Sequence, residues 1–287
     1  MELTAGENDN NRRLDRILRK ALPASPLALL HRLLRKGKVL VNGKSAKADK
    51  RINYKDIISI PINECAGKPS VKTPLPENLD ILWQDSNLLA VNKPSGLCVH
   101  GNDSLDSRVS SFLADKITPS LSFKSGPLHR LDAGSSGIII FSKTLEGARF
   151  FSSLLQERKV QKIYLFIAEG SVKNDDIWKD RLIRDKEKKK TYISENGRIA
   201  VTRIKTLSTA QDYSLVTAEI FTGRTHQIRI QAASHGHPLA GDRKYGSRKK
   251  GGFFLHAWKM EFSDIKIEAP LPDAFRKKTG ELGLSCR

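Results

Sequence analysis

Between Pro61 and Asn78 four prolines, Pro61, Pro69, Pro74 and Pro76, fall together with Gly67 and scattered polar residues, and no hydrophobic period runs through them. Prolines at that density remove backbone donors and block helix. The stretch therefore reads as a linker, 61–78, and the chain must be built as a small unit over residues 12–60 and a larger one over 79–287. A length of 287 residues fits such a pair, since domains average about 150 residues. With 39% hydrophobic and 28% charged residues both units can close a core, which excludes collagen, coiled coil and tail-like disorder.

The small unit carries two helical signals and then strands. From Arg12 onward, Leu14, Ile17, Leu18 and Leu22 share one helical face with arginines on the other. Pro23 and Pro26 break that helix. A second, opening at Pro26 and holding Leu29, Leu30, Leu33 and Leu34, should stop at Gly37, which suits a C-terminal cap. Lys38–Val41, an Asn42-Gly43 turn of the kind that closes tight hairpins, and Asp56–Ile60 follow as strand signals.

In the larger unit strands are broken by a few helices, which indicates an α+β domain. Ser136–Lys143 reads as a buried strand, and Thr144 can cap a helix whose core face is Leu145, Ala148, Phe151 and Leu155. Lys162–Ala168 alternates so that Tyr164 faces away from Ile163 and Leu165. Residues 199–204 and 213–221 are further strands. Gly223 turns the chain into a helix over Thr225–Ala233, ended by Gly236.

Charge narrows the partners. Fifty Lys+Arg against 31 Asp+Glu leave +19, more than solubility requires, and residues 1–60 alone hold fourteen Lys/Arg against six Asp/Glu, a net +8. Arg35, Lys36 and Lys38 lie at a helix end where phosphates can be met, and Arg243 and Lys244, in the basic run Arg243–Lys250, read as a loop that can contact a phosphate backbone. The run Lys186–Lys190 reads as a solvated loop. No apolar run approaches the length that spans a bilayer, and the first ten residues lack a leader's basic start and apolar middle, so the cytoplasm is the expected location. Cys65, Cys98 and Cys286 are far apart and in no Cys-x-x-Cys pair, so no disulfide framework or zinc site is expected. His226, His235 and His237 have no carboxylate or thiol at ligand spacing, so no metal is expected there either.

Three segments place polar groups where a core alone would not need them. They are His129-Arg-Leu-Asp132-Ala-Gly-Ser-Ser-Gly137, Gln161-Lys-Ile-Tyr164, and Thr222-Gly-Arg224-Thr-His226-Gln-Ile-Arg229, which continues to His235-Gly-His-Pro-Leu-Ala-Gly-Asp242. Taken singly, Asp132 is a turn carboxylate, Tyr164 a core ring and the arginines surface charge. Arg224 and Arg229 at the opening of a helix would favour an anion.

Together, and with Asn92-Lys-Pro-Ser-Gly96 before them, the segments resemble the pseudouridine synthases of the RluA class in sequence and in order along the chain. The run Arg32–Gly43 likewise resembles the alpha-L RNA-binding motif first known from ribosomal small-subunit protein four, over residues 12–60. The departures, Ser135 for the usual Thr and Ala133-Gly134 for a basic and a polar residue, leave the aspartate untouched and bear only on how the loop meets RNA. The resemblance implies an α+β fold: a small alpha-L domain followed by a catalytic domain with a central mixed, largely antiparallel sheet flanked by helices. It implies isomerisation of uridine in RNA, most closely in large-subunit ribosomal RNA, with transfer RNA as the alternative, and no cofactor or metal; nothing in the sequence suggests a dedicated dimer surface, so a monomer is expected. It makes Asp132 the catalytic aspartate, Tyr164 the ring stacked on the target base and Arg229 the partner that favours the carboxylate form. Arg130 would fill the space left by the flipped base, Leu255 would floor the uracil, and Arg224 and His226 would contact substrate. A non-catalytic RNA-binding or ribosome-assembly protein, and a nucleosidase releasing uracil, are the competing readings.

Overall fold

The computed structural model describes residues 1–62, 79–249 and 251–285. The expected linker lies outside them from Asn63 onward, as do Cys65, Lys250 and Cys286. Helices α1 (Leu14–Ala21) and α2 (Leu27–Arg35) pack Leu14, Ile17, Leu18, Leu30, Leu33 and Leu34 into one core with Val39, Val41, Ile52 and Ile58. Two expected helix starts are corrected. Helix α1 begins at Leu14 because Arg12–Arg13 pairs as a strand with Arg51–Ile52, and Pro26 precedes α2 as its N-cap, its ψ of 134° being extended. Gly37 does end α2: at φ +63° it lets Lys38 N donate to Leu33 O and its own N donate to Leu34 O, closing the last carbonyls. Asn42 and Gly43, both at positive φ, turn Leu40–Val41 back onto Lys44–Ser45. Residues before Arg12 also take part, since Glu2–Thr4 pairs antiparallel with Ile57–Ser59.

The small unit is clamped to the larger one by a buried carboxylate. Asp9 accepts from Ser120 Oγ at 2.8 Å, Leu121 N at 2.8 Å and Ser122 N at 3.0 Å, while Leu121 packs against the core of the small unit. Fully buried, Asp9 would be costly without those donors.

The larger unit is built on one sheet whose strands are β1 (Ile81–Gln84), β2 (Leu88–Lys93), β3 (Ser136–Ser142), β4 (Gln161–Glu169), β5 (Asp176–Asp185), β6 (Lys190–Ile193), β7 (Arg198–Ala210), β8 (Tyr213–Ile220) and β9 (Leu255–Phe262). Their spatial order is β6-β5-β7-β8-β4-β9-β3-β2-β1, with Gly126–Pro127 added on β3 and Ile265–Glu268 on β9. Among these pairs only β3 with β9 is parallel, so the sheet is mixed and largely antiparallel. Helices α3 (Leu105–Leu113), α4 (Leu145–Gln156), α5 (Gln227–Ser234) and α6 (Asp273–Glu281) flank it. Every residue of β3 is buried because its two faces feed different cores, Ile139 and Phe141 one, Ile138 and Ile140 the other. This is why the run lacks alternation. Strand β4 alternates as expected, Tyr164 and Phe166 facing the first core and Leu165 and Ile167 a third.

Gly137, at the start of β3, has a structural necessity. It sits at φ +104°, and a Cβ there would lie 2.2 Å from Ala257 O on β9. That close approach brings Leu255, at the start of β9, beside the loop that carries Asp132.

Helix α5 corrects the expected span. It begins at Gln227, two residues late, because His226 adopts a left-handed φ of +56°. Arg224 therefore lies in the preceding turn, where its backbone N donates to Gln227 Oε1 at 3.0 Å. Arg243–Tyr245, expected as loop, forms a short 3-10 helix.

Candidate active site

Asp132 stands on the loop between Gly126–Pro127 and β3, and three backbone or side-chain contacts from the Asn92–Gly96 segment fix that loop. Gly96 N donates to Ala133 O at 2.8 Å, Ser95 Oγ to Gly134 O at 2.7 Å, and Lys93 Nζ to Ala133 O at 3.0 Å. Lys93 Nζ also donates to Pro94 O and Leu97 O, each at 2.8 Å, so a fully buried ammonium uses all three of its protons on carbonyls. Burial pulls the Lys93 pKa down to about 8, with Cys98 and Asp132 opposing. His129, at the other end of the loop, is half-buried and accepts from Ile140 N at 3.0 Å, and desolvation drops its pKa to about 3. It is a neutral structural acceptor.

Helix α5 aims Arg229 at this loop. Arg229 Nη1 donates to Asp132 Oδ2 at 3.0 Å, while Nε and Nη2 grip Asp242 Oδ2 and Oδ1 at 2.6 and 2.9 Å. The fork is thus held from behind by a buried carboxylate, and one edge is left for Asp132. The guanidinium also lies 4.2 Å from the Phe253 ring centroid and 5.1 Å from that of Tyr245. Burial opposes its charge, but Asp242 and Asp132 more than offset this and raise its pKa. The departure at Gly134 has a local cause, because a Cβ there would lie 2.9 Å from Phe253 Cζ.

The opposite oxygen of Asp132 faces His226, whose Nε2 is 3.7 Å from Oδ1 and too far for a hydrogen bond. His226 Nδ1 is 2.7 Å from Tyr245 Oη, which accepts from Thr191 N at 2.9 Å. Arg184 Nη1, which can only donate, also lies 3.4 Å from His226 Nδ1, so Nδ1 is the acceptor, Tyr245 Oη donates to it, and the His226 proton sits on Nε2 toward the aspartate. Burial, with Arg229, Arg184 and Lys244 adding to it and Asp132 opposing, lowers the His226 pKa to about 4, so the ring is neutral.

Asp132 and Arg229 line one cavity with Arg130, Tyr164, Leu255, Arg224 and His226. All seven catalytic and substrate-contacting residues expected from sequence converge there. Tyr164 is 7% exposed and its hydroxyl makes no hydrogen bond to a described residue; burial, then the Asp132 charge, raises its pKa, so it stays a phenol. Leu131, Ile220, Ile228 and Leu255 give the cavity an apolar floor. Arg130 is exposed at its rim. Volume alone would have pointed elsewhere: a cavity of about 810 Å³ lies between the small unit and the start of α4, far from any of these side chains.

The expected RNA-contacting cations are apart from this cavity. Arg35, Lys36 and Lys38 are exposed around the C-terminal end of α2, where the helix dipole is negative, so their charge rather than the helix would attract phosphate. Arg243 is exposed, while Lys244 Nζ donates to Lys189 O at 2.7 Å and ties the 3-10 helix to the turn between β5 and β6. No described side chain caps the N-terminal end of α5; Gln227 Oε1 instead accepts from Arg224 N in the turn before it. His235 stacks on Trp178 and His237 meets Glu169 O, and among the described residues no group of three His, Cys, Asp or Glu could hold a metal ion. Sequence reasoning missed Asp242, Tyr245, Phe253 and Lys93 as parts of the site. Asp242 and Lys93 stood inside quoted motifs, but a lone Asp after Gly or a Lys before Pro reads as turn chemistry until its partner is known.

The chain is similar to known proteins over nearly its whole length. Residues 12–58 match the S4 domain and residues 87–234 the model described as RNA pseudouridylate synthase. The chain is 32% identical to the ribosomal large subunit pseudouridine synthase C of Vibrio vulnificus, over 92% of this chain and 89% of that one. It is 30% identical to the RNA pseudouridine synthase YlyB of Bacillus subtilis, over 95% of both. The fold of human RNA pseudouridylate synthase domain containing 4 superposes with a TM-score of 0.61 at 23% identity, covering 71% of this chain and 93% of that one. No described helix is long and apolar enough to cross a membrane.

Proposed function

Because this chain belongs to the RNA pseudouridylate synthase family, we propose that its substrate is large-subunit ribosomal RNA and that Asp132 is the residue through which it isomerises selected uridines to pseudouridine. The observation that carries the assignment is the Arg229 fork. One edge is fixed by buried Asp242, and the other presents a guanidinium to Asp132 at the mouth of an apolar cavity. A carboxylate so placed is oriented and held ready to act.

In the reaction the bond from ribose C1′ to uracil N1 breaks, the base turns, and C1′ bonds to uracil C5. The proton on C5 leaves to solvent and N1 gains one, so the RNA mass is unchanged. Asp132 acts at C1′ as nucleophile or at the ribose as base. Tyr164, held as a phenol, offers a flat ring to uracil in both orientations, while Leu255 and its apolar neighbours exclude water so that the detached base is retained. A uridine stacked in RNA reaches this depth only when flipped, at about a few kcal/mol, and Arg130 at the rim fills the space it leaves. Residues 12–60 bind RNA as a separate module, with Arg35, Lys36 and Lys38 on phosphates, and Arg243 and Lys244 edge the cleft. The protein works as a cytoplasmic monomer without cofactor or metal.

Curated relatives named as large-subunit enzymes at 32% identity over nearly the whole chain favour ribosomal over transfer RNA. The test uses RNA from cells lacking the protein, labelled with tritium at uracil C5 and separated into ribosomal and transfer fractions. Release of tritium to water from the large-subunit fraction, with no free uracil, is the expected result. Release from transfer RNA alone would move the substrate, and free uracil would make the protein a nucleosidase.

A further inference from the structure

A cleft of about 550 Å³ adjoins the catalytic cavity on the side of β5 to β7, and Arg224 lines both. Its other cations are Arg184, Lys186 and Arg198; no carboxylate lines it, and none of the four stands in an ion pair with a described residue. Arg184, Lys186 and Arg198 are exposed. This is unlike the neighbouring cavity, where Arg229 has two carboxylates. Four unpaired cations around one concavity repel one another and are stabilised by a polyanion.

The fold holds the cations in place. Arg198 opens β7 opposite Leu182, and Gly197 before it lets the strands close up, since a Cβ there would lie 2.6 Å from Leu182 N. Arg224 is anchored by Nε donating to Ile199 O at 3.2 Å, which leaves its other nitrogens for the cleft. Arg184 Nη1 lies 3.4 Å from His226 Nδ1, so the wall of the cleft is one residue away from the group that faces Asp132. The basic Lys186–Lys190 run, expected as a solvated loop, thus places its first member in this cleft.

We infer that the cleft binds the phosphates of the RNA strand adjoining the flipped uridine, with Lys186 and Arg198 as residues that hold one flank of the substrate. The inference rests on the proposed reaction at Asp132. A strand whose target base is in the cavity can continue past Arg224 into this cleft, since that residue lines both.

The test compares the full-length protein with the Lys186→Gln/Arg198→Gln double variant on a tritiated RNA hairpin carrying both flanks and on two RNAs each trimmed on one side of the target. A Lys173→Gln/Lys277→Gln double variant, at exposed positions elsewhere, removes equal charge. We expect the first variant to bind the full RNA about tenfold more weakly, with a salt slope shallower by about one to two, and to raise KM far more than it lowers kcat. The deficit should vanish for the RNA lacking one particular flank, and Lys186→Arg/Arg198→Lys should restore binding. An unchanged Kd, a deficit that persists with both trimmed RNAs, or an equal loss in the control variant would overturn the inference. Failure of the intact protein to release tritium from any RNA would instead overturn the reaction at Asp132.

Discussion

The buried charges that hold Asp132 are paired within the protein: Arg229 holds Asp132 and Asp242, and the Lys93 ammonium is spent on three carbonyls. Along residues 1–60 the opposite holds, for of fourteen Lys and Arg only Arg13 is in an ion pair with a described residue. Internally paired, buried charge fixes geometry at a desolvation cost, which suits a site that must place one carboxylate to within a fraction of an ångström. Unpaired, exposed charge fixes nothing by itself and gains its partner only when a polyanion arrives. The two regions therefore should fail differently: the first in rate, the second in affinity.

Removing the rear support of the fork should break the first region most. Asp242→Asn leaves a buried guanidinium with one carboxylate, and we expect a loss of about 3 kcal/mol in stability and about a hundredfold in kcat, with RNA affinity within a few-fold. Thermal melting and single-turnover tritium release measure the two. Equal loss of affinity and rate would show that Arg229 binds RNA rather than positions Asp132.

Next in size is Lys93→Met, expected to lower kcat about tenfold by freeing the Asp132 loop. In the unsubstituted protein, kcat should fall as pH rises through about 8, where Lys93 gives up a donor. Stability should move the other way. The folded lysine releases its proton near 8 and an unfolded one near 10.5, so the unfolded chain binds more protons in that window and the site's contribution to stability rises with pH. A pH series of rate and melting on one preparation shows both signs or neither.

Deleting residues 1–62 should cost about a hundredfold in affinity for structured RNA and flatten its salt dependence, while the cores built on β3, β4 and β9 stay folded because none uses a residue before Leu79. Asp9→Ala, which opens the clamp on Ser120 to Ser122, should show a smaller part of the same loss. Unfolding of the truncated chain, followed by circular dichroism, would make the small unit a structural prop.

The smallest effect concerns acid. His129 and His226 are neutral when folded, with pKa values near 3 and 4 against an ordinary 6.5, so the stability they contribute is complete above about 6.5 and is lost as pH falls below it. The stability deficit of His129→Gln, in which the amide oxygen can still accept from Ile140 N, should therefore narrow between pH 6.5 and 4.5. A constant deficit would mean that His129 does not titrate in the way its burial implies.

The sequence made legible what period and punctuation encode. Gly37 and the Asn42-Gly43 turn end elements where expected, the buried strand Ser136–Ser142 stands out as an unbroken apolar run, and the seven residues from Arg130 to Leu255 could be named because their motifs keep family spacing. It could not show relations that exist only after folding. The start of α5 moved because His226 takes a left-handed turn, which no propensity announces. Asp242 and Lys93 act through partners 13 and 40 residues away, and the cationic cleft joins Lys186, Arg198 and Arg224 from three separate segments.

The most direct test of the central claim measures single-turnover tritium release and RNA Kd side by side for the full-length protein and Asp132→Asn. The asparagine keeps the shape of the side chain and its contact distance to Arg229 while removing the charge. Release reduced by at least about a thousandfold, with Kd within a few-fold, is the predicted result. Release that persists at the normal rate, or a Kd that collapses together with the rate, would contradict it.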